Sequence, residues 1–254
     1  MRILVCIKPD MEGRELGTFE ALALEAGLQL RESFQTDYGP DCGLDVICAG
    51  PASWSDSIYR ALGMGADSGV HIVTEDAEAG LVQPSVAAGL MAAWAGLPET
   101  TAYDIILSGV ISQDLMAGQA GPMLAEHLSI PCATAITRLR PEEKGLCGIR
   151  EWEGGYRELL ELPLPVLVSV QSGYYTARYP ALSHMLAAKS KPLVQISQDA
   201  LLTRSGQPVP GETNCLRFSK PRTPDRTREG RMVTGSLDDK VRAFDTFIRE
   251  KGLV

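Results

Sequence analysis

Four short apolar runs recur through the first 109 residues: RILVCIK (2–8), LDVICAGP (44–51), SGVHIVT (68–74) and YDIILSG (103–109). RILVCIK alternates too little for a half-exposed strand, so it and LDVICAGP read as strands buried on both faces, as in a parallel sheet, with SGVHIVT and YDIILSG as the third and fourth strands. The segments that separate and follow them carry apolar residues at helical spacing: 19–33, a stretch from Ser53 or Ser55 to Gly65, 84–97 and 118–130. Ser53 or Ser55 is expected to cap the second of these helices, with Gly63 and Gly65 closing it. Pro84 suits a first helical turn, and Pro122 is tolerated only in one. Strand and helix thus alternate over residues 1–130, which predicts an α/β fold, a doubly wound and mostly parallel sheet with right-handed crossovers. A chain of 254 residues, 44% of them hydrophobic, is long enough for one large core with a smaller appendage.

Beyond residue 131 the pattern changes. CATAITRLR, LCGIREWEGGYRELLEL and PVLVSVQ read as strands joined by turns at PEEKG and EGG, an antiparallel hairpin extension at one edge of the sheet. From about residue 173 the patterning weakens, and 205–214 is rich in Pro and Gly. SLDDKVRAFDTFIREKGLV at the end recovers helical spacing behind a Ser cap. The expected organisation is an α/β domain over 1–192 and a C-terminal arm over 193–254 that packs on a partner.

Composition removes several classes of function. The formal charge is −8 and no basic face is evident, so nucleic acid is not an expected partner. No run reaches the roughly 18 apolar residues of a membrane helix, and the N-terminal stretch is too short for a signal peptide. A cytoplasmic protein without membrane insertion is expected. The six cysteines are scattered with no CxxC pair, so neither a metal site nor a disulfide framework is expected. Cys6, Cys48 and Cys132 lie in apolar runs and read as buried small hydrophobes. His71, His127 and His184 stand far apart and read as surface or satisfied core residues. No nucleophile, base and orienting acid can be assembled and no GxSxG is present, which favours binding or carrying over hydrolysis or group transfer.

One loop carries a ligand signal. SGVISQDLMAGQAGP (108–122) leaves the fourth strand and enters a helix. In an open parallel sheet, ligands sit beyond the carboxyl ends of the strands, near the point where strand order reverses. Gly109, Gly118, Ala120 and Gly121 would let backbone N–H groups approach an anion, and the helix beginning near Gln119 adds its N-terminal partial charge. Asp114 can accept from a ribose hydroxyl or from the loop's own backbone; Gln119 can both donate and accept, which suits a ribose or a base edge. The alternative is a plain strand-to-helix loop whose small residues only ease packing. The loop matches neither GxxxxGK[ST] nor GxGxxG. Ala49 and Gly50, at a strand end, would line the same crevice as Cys6 or serve as scaffold. In RYPALSHMLAAKSKPL (178–193), Leu182, Met185 and Leu186 share one face of a short helix, either packed in the core or exposed as an anchor for another protein.

Together RILVCIK, FEALALEAGLQLRE, AGPASWSDSIYRALGMGADSGVHI, YDIILSGVISQDLMAGQAGPMLAEHL, REWEGGYRELLELPLPVLVSVQ and RYPALSHMLAAKSK resemble, in order and over essentially the whole chain, the β subunit of electron transfer flavoprotein (ETF). The resemblance implies a fold like that of the adenine nucleotide alpha hydrolases, used without hydrolysis. It implies an electron carrier rather than a stand-alone enzyme, paired as a heterodimer with an ETF α subunit that holds FAD. Electrons would pass from acyl-CoA dehydrogenase or another flavin dehydrogenase to an acceptor. The β subunit itself would hold AMP or, in the electron-bifurcating branch, a second FAD that oxidises NADH. The family's nucleotide contacts carry over to Cys6, to Thr18 and Phe19 within the Gly17–Glu20 stretch, to Ala49, and to Gly109, Val110, Asp114, Met116, Ala117, Gly118, Gln119 and Ala120. Its partner-recognition loop carries over to Tyr179, Leu182 and Met185, with Leu182 as anchor. This sequence departs from the AMP-type loop: Gly118-Gln119-Ala120 stands for Asn-Gln-Thr, Val110 for a basic residue, and Leu115 and Met116 for acids. The small residues lean the reading toward FAD. A nucleotide-binding regulatory module of the stress-protein type is the alternative outside this family.

Overall fold

The computed structural model describes residues 1–10, 13–38, 41–74, 82–206, 230 and 232–252. The chain divides into two units, Met1–Asn214 and Cys215–Val254.

The first unit is built on a nine-stranded sheet. In chain order its strands are β1 (Arg2–Cys6), β2 (Gly43–Gly50), β3 (Ser68–Val73), β4 (Ile105–Gly109), β5 (Cys132–Glu142), β6 (Gly145–Glu151), β7 (Arg157–Pro163), β8 (Val166–Val170) and β9 (Leu193–Ser197). Their spatial order is β7-β6-β5-β8-β4-β1-β2-β3-β9. All neighbours from β5 through β8, β4, β1, β2 and β3 to β9 pair in parallel, while β6 and β7 add an antiparallel hairpin at the β5 edge. The chain starts in the middle at β1, runs outward through β2 and β3, then returns to lay β4 on the other flank of β1. That reversal creates a switch point between β1 and β4.

The helices of this unit are α1 (Thr18–Tyr38), α2 (Ser55–Met64), α3 (Pro84–Ala95), α4 (Ala120–Leu128), α5 (Leu182–Ala188) and α6 (Gln198–Ser205). They cover both faces of the sheet. Ile3, Val5 and Ile7 point to one face with Leu24, Leu28 and Phe34 of α1 and Ile58 and Leu62 of α2. Leu4 and Cys6 point to the other, with Leu90 and Met91 of α3, Leu124 of α4 and Leu201 of α6. Two buried faces explain why these strands carry unbroken apolar runs.

Several local expectations change. The N-cap of α2 is Trp54, with no side-chain cap bond; a 3₁₀ turn at Ala52–Trp54 leads into the helix, and Ser55 Oγ donates to Ala52 O instead (2.7 Å). Cys132 is exposed, because it opens β5 where the strand emerges from the preceding turn. β9 and α6 were not evident from periodicity. Their exposed residues break the apolar pattern, yet β9 extends the sheet beside β3 and Leu201 and Leu202 bury. The first unit therefore runs past residue 192. His71 is fully buried; its Nε2 meets Gly50 O at 3.2 Å and its Nδ1 meets Ser55 Oγ at 3.5 Å. Burial pushes its pKa down, against bonds to the Gly50 and Pro51 backbone, so it is a core residue whose neutral form is favoured.

In the second unit, α7 (Leu237–Glu250) starts at the expected Ser cap, where a capping box joins Ser236 and Asp239. Leu237, Val241, Phe244 and Phe247 stand exposed along it.

Candidate nucleotide-binding site

A cleft opens at the carboxyl ends of β1 and β4, at the switch point. It spans about 740 Å³ counted with its open mouth. Its floor is the strand ends, Cys6 to Lys8 and Ser108 to Val110; one wall is the loop after β4 and the first turn of α4; the opposite wall is α3, through Pro84, Ala87 and Met91. Glu20, in the first turn of α1, closes the inner side.

Close backbone approach brings these parts together. A Cβ on Gly109 would lie 2.8 Å from Phe19 Cβ and 3.0 Å from the Glu20 nitrogen, so only glycine lets the start of α1 rest on the end of β4. A Cβ on Gly121 would extend to 2.6 Å from Ser108 Oγ, seating the first turn of α4 directly over β4. Gly17 N–H donates to Lys8 O (2.9 Å), tying the α1 start to the end of β1. Two helix N-termini consequently converge on one cleft, where their unpaired N–H groups and partial positive charge favour an anion.

Charge in the cleft is arranged around Lys8. Its ammonium pairs with Asp114, and it lies 5.6 Å from the Trp54 ring centre. Asp114 also accepts from Leu115 N–H at 2.7 Å. Burial works to raise the Asp114 carboxyl, but Lys8, Ser112 and the Leu115 N–H outweigh it and hold it below the ordinary carboxylate value. Asp114 thus fastens the loop to β1. Glu20 behaves oppositely: burial raises its carboxyl to about 7, a bond to its own backbone and the Lys8 charge pull it down, and Asp114 pushes it up. Burial likewise pushes the Cys6 thiol up to about 12, so Cys6 is a neutral wall and not a nucleophile. Glu20 Oε2 and Ser108 Oγ are buried without a hydrogen-bond partner among the described residues. Orphaned buried polar atoms are rare enough to need an explanation, and beside a cleft a ligand supplies one. The apolar α3 wall suits a flat heteroaromatic ring, and the helix N-termini suit a phosphate, so the residues present fit a nucleotide.

Eight of the twelve residues expected at the site line the cleft: Cys6, Ala49, Gly109, Val110, Ala117, Gly118, Gln119 and Ala120. The other four surround it. Thr18 accepts a hydrogen bond from Gln113 Nε2 (2.9 Å), stitching α1 to the loop, and Phe19 packs on the core behind Gly109. Asp114 holds Lys8. Met116 has φ 50°, is 65% exposed and is not among the lining residues. Sequence reasoning missed Lys8, Ser108 and the α3 wall. Lys8 follows Cys6 by two residues at a strand end and was within reach of the switch-point rule. The α3 wall had no signal, because nothing local says that residues 84–91 face residues 109–121.

The recognition segment forms a separate surface. Tyr179 and Leu182 are 82% and 76% exposed, and Arg60 stacks over the Tyr179 ring at 4.7 Å. Met185 turns inward onto Gly63 of α2, so the helix is at once packed and exposed. Lys191 Nζ donates to Leu62 O (2.8 Å) and Ala66 O (2.6 Å) at the end of α2, fixing the far side of α5. Among the described residues no group of three His, Cys, Asp or Glu is placed to hold a metal ion, and no helix is long and apolar enough to cross a membrane.

Comparison with known proteins agrees over most of the chain. The family described as "Electron transfer flavoprotein domain" matches residues 10–201. The "Electron transfer flavoprotein subunit beta" of Bacillus subtilis is 28% identical over 239 residues, 94% of this chain and 87% of that protein. The protein of the same description from Homo sapiens is 30% identical over 196 residues, 74% of this chain and 73% of that one. That from Thermoanaerobacterium thermosaccharolyticum is 29% identical, covering 86% and 80%.

Proposed function

The chain belongs to the electron transfer flavoprotein β-subunit family, and from that premise we propose that it is the nucleotide-holding half of a heterodimeric electron carrier. The observation that carries this reading is the cleft at the β1/β4 switch point, with two helix N-termini, an apolar wall and two orphaned polar atoms. The partner is an ETF α subunit bearing FAD, and the C-terminal unit, with its exposed apolar stripe on α7, packs on that partner. Electrons arrive from a flavin dehydrogenase that docks at Tyr179 and Leu182. Bound flavin supplies the one- and two-electron chemistry; this chain binds, orients and excludes water.

An adenine nucleotide would lie with its phosphate at the Gly118–Ala120 end and its ring along Pro84, Ala87 and Met91. The apolar wall and the small residues at 118 and 120 favour FAD over AMP as this subunit's own nucleotide. Extraction and identification of the nucleotide from the purified heterodimer tests both. AMP would reject a second flavin, and no nucleotide at all would reject the reading.

Gln119 is exposed at the N-cap of α4 and makes no side-chain cap bond, so its amide is free for a ligand. Gln119→Ala is expected to weaken nucleotide retention by about 1 kcal/mol, the ordinary net worth of a hydrogen bond. Retention after dialysis, unchanged from wild type, would remove Gln119 from the site. Leu182→Ala should slow electron uptake from the docking dehydrogenase and leave nucleotide content intact; equal rates in stopped-flow reduction would reject Leu182 as an anchor.

A further inference from the structure

The cleft places one cation between two carboxyl groups. Lys8 pairs with Asp114, which leaves Glu20 as an acid with no cation of its own among the described residues. Glu20 is 6% exposed, and its side chain folds back so that Oε2 would lie 2.2 Å from a Cβ on Gly17. Among the described residues, the charged and titratable groups facing it are Lys8 from the β1 end, Asp114 from the loop after β4, and Cys48 of β2. Of these, burial drives the Cys48 thiol to about 12, so it stays neutral. No histidine is among the described residues that line the cleft.

With Glu20 ionised, the described residues would set two negative charges, Glu20 and Asp114, against the one positive charge of Lys8 before any ligand enters. With Glu20 protonated, the balance is zero. A nucleotide brings the negative charge of its phosphate to the Gly118–Ala120 end of the cleft that Glu20 also lines. Like charges in a partly buried cleft repel far more than in water.

We propose that Glu20 is a proton-linked selector for phosphate-bearing ligands, in which the neutral carboxyl admits the phosphate and the ionised carboxyl opposes it. The inference rests on the nucleotide-binding reading above. Its sign follows from linkage. A carboxyl near 7 in the free cleft is protonated below that pH and ionised above it, and an incoming anion favours the protonated form. Binding a phosphate above pH 7 therefore takes up a proton, and affinity falls by as much as about tenfold per pH unit there. Adenosine, which has the same base and sugar without the phosphate, should show neither effect.

Isothermal titration calorimetry of the full chain with AMP and with adenosine at pH 8, in buffers of different protonation enthalpy, reads this directly. At pH 8 the AMP phosphate is already a dianion, its second pKa being about 6, so it contributes little to the exchange. The expected result is uptake approaching one proton for wild type with AMP, none with adenosine, and none for Glu20→Gln with AMP. AMP binding without proton uptake, or uptake undiminished in Glu20→Gln, overturns the proposal. If Glu20→Gln does not fold, the contrast between AMP and adenosine in the wild type decides it. Failure of the wild type to bind either ligand is a different result, which rejects the nucleotide reading and this inference with it.

Discussion

Gly109→Ala is expected to destabilise the protein by about 2–3 kcal/mol and to empty the cleft. The new methyl would meet Phe19 Cβ at 2.8 Å, and the Phe19 carbonyl carbon and Glu20 nitrogen at 3.0 Å. Two of those three atoms are backbone at the first turn of a 21-residue helix, so no side chain can rotate aside. Overpacking a rigid contact costs about 1–3 kcal/mol, and here relief requires lifting α1 off β4. That motion would carry Glu20 away from Lys8 and break the convergence of the two helix N-termini. Urea denaturation gives the stability and nucleotide content after gel filtration gives the site. A variant of wild-type stability that still holds its nucleotide would show that the approach of α1 to β4 is not required.

Arg178→Ala carries the second large effect. Arg178 Nε and NH2 donate to Glu25 Oε2 (2.8 Å) and Oε1 (3.0 Å), its backbone N–H reaches Oε2 at 3.2 Å, and NH1 donates to Glu32 (2.8 Å). Glu25 is 4% exposed and among the described residues keeps Gln29 as its one further side-chain donor (2.8 Å). Removing the guanidinium strands a buried carboxylate. The loss for a fully buried pair is about 3–5 kcal/mol. Arg178 is itself about one-third exposed, so water screens the pair and a loss nearer ~2 kcal/mol is expected.

The pH dependence has a defined sign. Burial pushes the Glu25 carboxyl up, but the bonds from Arg178 and Gln29 outweigh it and hold it below the ordinary value. A depressed carboxyl contributes stability that is complete above its unfolded value, about 4.3, and is lost as pH falls through the folded one. The gap between wild type and Arg178→Ala should thus be widest above pH ~5 and narrow below ~4. A gap independent of pH would mean that the loss is packing alone. The same substitution frees the segment leading into α5, so docking at Leu182 should weaken while the nucleotide stays bound.

Much of this protein was legible from residues alone. The unbroken apolar strands RILVC and VLVSV require cover on both faces, and a chain that alternates such strands with amphipathic helices has few ways to provide it. Glycines at 109, 118 and 121 after a strand marked a cleft loop, and eight of the expected site residues do line the cleft. The edge strand β9 was missed because Gln195 and Ser197 interrupt an apolar run of only five residues. Edge strands need only one flank and one face covered, so their sequences carry a weaker signal.

What the sequence determined by itself was the class of fold, the switch-point loop and the family, since each rests on residues adjacent in the chain. Tertiary structure alone decided the electrostatics of the site. Lys8 and Asp114 stand 106 residues apart, and only the pairing of β1 with β4 makes them partners. Once they pair, Glu20 is left without a cation among the described residues, and burial holds its proton to about 7. Protonation depends on which charges share a low-dielectric space, and that is fixed by packing across the sheet, not by order along the chain.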